Sequence, residues 1–158
     1  MKKLLIIAAI LMFIPGLTFA LDKPSSNDAK KVMDFYNNGK GLGAILVDYS
    51  MCQEMGKDET SKNDCAVLLN GNDIKIDDEI YLWMNFMIPV DDMASILITY
   101  TRNNRIRKTQ EITLKSAFRY RTWKKVATDK PGKWTINISQ ELGQEDIDLG
   151  TLTYTVKE

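Results

Sequence analysis

Residues 95–115 read SILITYTRNNRIRKTQEITLK, and this stretch decides the fold. Ser95 to Thr101 alternates apolar and polar residues with the two-residue period of a half-buried strand. Arg102-Asn103-Asn104-Arg105 is the turn of a hairpin, and Ile106 to Lys115 is the returning strand. Upstream, Tyr81-Leu82-Trp83-Met84-Asn85-Phe86-Met87-Ile88 is dense in apolar and aromatic side chains and reads as a central strand ending at Pro89. Downstream, Phe118 to Ala127 is a further strand and Asp129-Lys130-Pro131-Gly132 a turn; Lys133 to Gln140 and Leu149 to Val156 close the set. Six or seven strands at ~10-residue spacing, with no helices between them, predict a mostly β protein, an antiparallel immunoglobulin-like β-sandwich. Its expected core draws on Val47, Leu82, Met84, Phe86, Ile96, Ile98, Ile112, Leu114, Phe118, Tyr120, Trp134, Ile136, Ile138, Leu152, Tyr154 and Val156.

The chain has 158 residues, enough for one domain with a sizeable core. Lys2 and Lys3, the apolar run Leu4 to Ile14, the break at Pro15-Gly16 and the small residues before Leu21 have the three-part layout of a secretory signal over 1–20. A run of ~11 apolar residues is short of the ~20 that span a bilayer, so cleavage after Ala20 and a single domain over 21–158 are expected, without a transmembrane segment. Export to the periplasm or beyond follows, in a bacterial setting. Pro24-Ser25-Ser26-Asn27-Asp28 leads into a helix over about 26–38, with Ala29, Val32, Met33 and Tyr36 on one face and Asn37-Asn38-Gly39 as its stop. Ala44 to Met51 fits a strand by its alternation, although a short helix running into Cys52 is also open. Cys52 and Cys65 are the only cysteines, and in an exported chain they read as a disulfide closing the loop 52–65. Twelve intervening residues do not suit a redox or metal-binding pair.

The run Tyr120-Arg121-Thr122-Trp123, then Gly132-Lys133-Trp134-Thr135-Ile136-Asn137-Ile138, then Gly143, Leu149, Leu152, Tyr154 and Val156 resembles the end of a bacterial periplasmic immunoglobulin-like β-sandwich family of unknown function. Members of that family close with an Arg-Thr-Trp strand, a Gly-x-Trp strand and a last strand ending on Val. The resemblance covers roughly the last 40 residues. It implies the sandwich fold and brings no catalytic residues with it.

Several chemistries drop out. There is no histidine, which removes the His-activated nucleophiles and the usual zinc sites. Asp77-Asp78-Glu79 and Asp91-Asp92 flank a strand of about eleven residues at ~3.3 Å each, some 35 Å apart, too far to cleave a glycoside together. Asn70-Gly71-Asn72-Asp73 has its glycine second rather than sixth, which makes it a turn rather than a calcium loop. Gly39-Lys40-Gly41-Leu42-Gly43 follows a helix and lacks the Gly-Lys-Ser/Thr ending of a phosphate loop. No cofactor, no metal and no enzymatic activity are expected.

Charge is the remaining signal. Without residues 1–20 the chain carries 19 basic and 21 acidic residues, a net of −2. Residues 102–133 hold eleven Lys or Arg, including all five arginines, against Glu111 and Asp129, a net of +9. Residues 21–101 carry seven basic and fourteen acidic residues, a net of −7, and 134–158 a net of −4. If Ile106, Ile112, Leu114, Phe118 and Tyr120 face the core, then Arg107, Lys115, Arg119, Arg121, Trp123 and Lys125 face outward on two neighbouring strands. Cations around an exposed Trp123 suit an anionic envelope polymer, a carboxylated sugar or an acidic protein surface. The same pattern also serves as a solvated face whose long side chains cover Trp123. The expected function is a non-catalytic exported binding module using the 102–133 face. The alternative is a structural or assembly component, chaperone-like or of a secretion system, recruited through its N-terminal segment or a sheet edge. Nucleic acid is not expected as a partner of an exported chain.

Overall fold

A computed structural model describes residues 25–37, 43–69, 74–142 and 145–158. The signal over 1–20, the helix stop after Asn37, most of the glycine-rich connection and the turn at 70–73 lie outside these residues. The described elements are α1 (Ser26–Asn37), β1 (Ile45–Met55), β2 (Cys65–Leu68), β3 (Ile74–Lys75), β4 (Tyr81–Arg102), β5 (Arg105–Lys125), β6 (Gly132–Leu142) and β7 (Glu145–Lys157). α1 starts where the sequence places it. The Asp28 amide donates to Ser25 Oγ and the Ser25 amide donates to the Asp28 carboxylate, both at 3.1 Å, a reciprocal cap over the first turn. Lys31 then donates to the Val47 carbonyl and ties the helix to β1.

In the stretch Ala44 to Met51 the chain is strand from Ile45 onward, not helix: β1 pairs antiparallel with both β2 and β4. The Asn103-Asn104 turn has φ of 51° and 59°, left-handed at both central positions, with Arg102 opposite Arg105. That geometry matches the right-handed twist of the flanking strands. The main departure from expectation is continuity. The strand through Trp83 does not end at Pro89 but runs on to Arg102, and the two expected strands that follow the turn are one strand, β5. Two short strands, β2 and β3, appear where none was expected, and β3 lies parallel to the end of β7.

The long β4–β5 hairpin belongs to both layers of the sandwich. Tyr81–Phe86 of β4 pairs with β1 on one side and with Tyr120–Lys125 on the other. Ile96–Arg102 pairs with β6, which pairs with β7. Between the two halves the register slips, with Ile88 opposite Ala117 and Met93 opposite Lys115. Four residues of β4 there stand against one of β5, and the hairpin folds across its middle at this point. Leu82, Met84 and Phe86 of one half and Ile96, Ile98 and Tyr100 of the other are each fully buried in one cluster with Ile112, Leu114, Trp134, Ile136 and Ile138. Val47 is buried beside Ile45 but outside this cluster.

Two expected core residues do not belong there. Phe118 is 53% exposed and Ile106 69% exposed. Each sits at an irregularity in β5. Phe118 and Arg119 together stand opposite the single residue Met87, and Arg107 is an extra residue between Ile106 and Lys108. A bulge sets its neighbours against the alternation of the strand. The slips at 115–117 and 117–120 each reverse the phase of β5 and cancel, so Ile112, Leu114 and the half-buried Tyr120 all still face inward.

Candidate functional site

Folding the hairpin brings its turn end and its open end together. They bound a cleft of about 750 Å³ whose lining includes Arg102, Arg107, Lys108, Lys125 and Lys130. Asp77 and Asp129 are the carboxylates among the lining residues. The five cations arrive from four parts of the chain. Arg102 ends β4, Arg107 sits in the bulge beside the turn, and Lys108 follows it on the inward phase. Lys125 ends β5, and Lys130 lies in the bend before β6.

The floor is aromatic and tightly bonded. Trp134 is 2% exposed, stacks on Tyr154 with ring centroids 6.1 Å apart, and donates its indole N–H to the Lys130 carbonyl at 3.0 Å. Tyr154 donates its hydroxyl to the Ala127 carbonyl at 2.6 Å. The Arg102 guanidinium lies 5.5 Å over the Trp134 ring and donates to the Pro131 carbonyl at 3.2 Å, while its buried Nε has no partner among the described residues. The Lys108 ammonium lies 5.7 Å over the Tyr100 ring. Burial pushes the Tyr100 phenol up to about 12 and the Tyr154 phenol higher still, so both hydroxyls stay neutral donors beneath the cations. Cations resting on ring faces are held in place by the ring quadrupoles.

A second hollow, about 430 Å³, lies on the outer face of the other layer and is lined by Asn63, Arg119, Tyr120, Arg121 and Thr122. The Cys52–Cys65 disulfide builds its wall. The bond pins the loop 56–64, within which Asp58 accepts from Ser61 and Lys62 and the Gly56 amide donates to the Asp64 carbonyl. The loop then offers the Asn63 carbonyl to the Trp83 indole N–H at 2.7 Å and the Asp64 carboxylate to Arg121. Between hollow and cleft, Trp123 is 38% exposed and meets Tyr81 edge to face, centroids 5.1 Å apart at 84°. Lys125 pairs with Glu79 at 3.4 Å. A hydrogen bond from Tyr81, with Lys125 beside it, holds the Glu79 carboxyl below the usual carboxylate range, and the same bond raises the Tyr81 phenol.

The six expected face residues therefore do not form one ring around Trp123. Arg107 and Lys125 share the cleft, Arg119 and Arg121 share the second hollow, and Trp123 lies on the strand between them. Lys115 is exposed at the fold of the hairpin, opposite Met93, and lines neither site. All belong to one strand rather than two. Sequence reasoning passed over Arg102, Lys108, Lys130 and Asp64. Arg102 was the most accessible of these, since a residue closing a two-residue turn sits at the same end of the molecule as the rest of the turn.

No protein-family model matches the chain, and no curated protein matches it. Among solved structures, the C-terminal domain of wzt is similar at a TM-score of 0.49 and 12% identity, over 75% of each chain. The fold and the geometry above define a disulfide-linked, mostly antiparallel β-sandwich with two basic hollows on one long hairpin. Among the described residues no helix is long and apolar enough to cross a membrane.

Proposed function

We propose that this protein is an exported, non-catalytic binding module that presents its 102–133 face to an anionic component of the cell envelope or to an acidic protein surface. The observation that carries this reading is the cleft, where five cations from four parts of the chain meet over a buried aromatic floor. Side chains of like sign repel, and such a cluster lowers its free energy when an anion enters. The disulfide and the secretory layout of residues 1–20 support export.

The test is co-sedimentation of the purified protein with cell-wall sacculi and with anionic vesicles across a salt series. Binding that weakens as salt rises and is lost in an Arg107→Gln, Lys125→Gln variant is the expected result. Equal retention of wild type and variant on every partner would overturn the reading.

A second reading, an assembly component recruited by strand addition, draws on β2. Among the described residues this strand pairs with β1 alone, and it leaves Val67 41% and Leu68 55% exposed. If a Val67→Lys, Leu68→Lys variant keeps every complex that the wild type forms, β2 recruits nothing.

A further inference from the structure

Lys125, which lines the cleft, is also the last of a row of side chains on β5. On β5 the residues Arg119, Arg121, Trp123 and Lys125 follow one another at every second position, and from Tyr120 to Lys125 the pairing with β4 runs without a slip. Alternate strand residues share a face, which joins Arg121, Trp123 and Lys125, and Arg119, in the bulge before them, lines the second hollow beside Arg121. The contacts agree: Trp123 touches Tyr81, the partner of Lys125, and Arg121 and Trp83 are both met by the loop 56–64. Six residue-to-residue steps at ~3.3 Å make this row about 20 Å long, and one end opens into the cleft beside Arg107.

Resting on the binding function proposed above, we propose that the cleft and this row form one continuous track for a linear acidic polysaccharide. Two features favour that class over other polyanions. Trp123 offers an exposed ring between Arg121 and Lys125, and a ring of this kind needs an apolar face against it. Sugar rings carry such C–H faces between their charged groups, whereas a polyphosphate or a polyglutamate chain does not. The carboxylates along the track, Asp64, Glu79, Asp77 and Asp129, would repel a chain that offers charge without donors but accept hydrogen bonds from the hydroxyls of a sugar chain. The Arg121–Asp64 and Lys125–Glu79 pairs are partly or largely exposed, and such pairs yield to a competing carboxylate.

A track differs from a single pocket in its length dependence. Engaging the second region becomes an intramolecular event once the ligand reaches it, with a gain on the order of a hundredfold. The experiment is calorimetric titration at low salt with galacturonate, with an oligogalacturonide well over ~20 Å long, and with polyglutamate of matched charge. The long oligogalacturonide should bind at least about tenfold more tightly than the monomer or the polyglutamate. Arg119→Gln, at the far end, should remove most of the gain of the long ligand over the monomer while its thermal melt shows the variant folded, a split that a merely structural role for Arg119 would not produce. Trp123→Phe should keep the preference for oligogalacturonide over polyglutamate and Trp123→Ala should lose it, with thermal melts confirming that both variants fold. Equal affinity for monomer and oligomer would overturn the track while leaving a binding cleft, and so would a preference for polyglutamate. No binding of any of the three would overturn the track, while the co-sedimentation with sacculi and anionic vesicles decides separately the function it rests on.

Discussion

Leu114 and Phe118 lie four positions apart on β5 and have opposite surroundings, one 1% and the other 53% exposed. Leu114→Ala should therefore cost about 2–5 kcal/mol in urea unfolding, as large-to-small changes in a core do. Phe118→Ser should stay within about 0.5 kcal/mol of wild type, as surface changes usually do. Equal costs would mean that the bulge at 118–119 is misplaced. Gly150 is constrained from outside the backbone: a Cβ there would come 2.9 Å from the Tyr49 ring. Gly150→Ala should lower stability by about 1–3 kcal/mol through overpacking, and Tyr49→Leu in the same chain should recover part of it. The buried phenols fix a pH dependence. The folded Tyr100 value of about 12 lies above the ordinary value near 10. The stability tied to the neutral phenol is complete below about pH 10 and falls as pH rises toward 12. At ~1.4 kcal/mol per unit the loss is about 3 kcal/mol, with Tyr154 acting in the same direction. Urea midpoints measured on both sides of this window, in wild type and in Tyr100→Phe, check it; a midpoint no lower at the alkaline end would contradict it.

At the scale of elements, the strands were legible and their joins were not. Tyr81–Ile88 and Ser95–Thr101 announce themselves by apolar density and by alternation, and Asn103-Asn104 announces the turn. Nothing local says that the chain runs through 89–92 as one strand, because a fold across a strand arises from a mismatch of residue counts between partners. The same reason separated Arg107 from Arg119 and Arg121 and joined it to Lys125, eighteen residues away. The outward row itself could be read from period two, since its phase errors come in a cancelling pair. The loop 56–64 was readable as charged and disulfide-closed, but its contacts with Trp83 and Arg121 cross from one part of the chain to another. Those contacts make a prediction for the element. Replacing Cys52 and Cys65 by Ala should cost on the order of 3 kcal/mol and shift tryptophan emission to the red as the loop lifts from Trp83. Unchanged emission would show that the loop holds its place without the bond.

For the whole molecule, one hairpin supplies strands to both layers, so neither layer can be removed without dismantling the other. Unfolding should be all-or-none, with far-ultraviolet circular dichroism and tryptophan emission giving coincident urea transitions; separated transitions would mean independent layers. Most of the pairing is between distant parts of the chain, which places folding in the slow, millisecond-to-second range of all-β domains. The fold of the hairpin has one more consequence. By pressing five cations to one mouth, it makes the molecule a loaded spring, held shut by the core against its own repulsion. Screening ions should relax that spring, so the empty protein should melt at a higher temperature in moderate salt than in very little. An anion seated across the mouth acts as a latch, and a ligand at a hundred times its dissociation constant would add about 2.7 kcal/mol to the closed form.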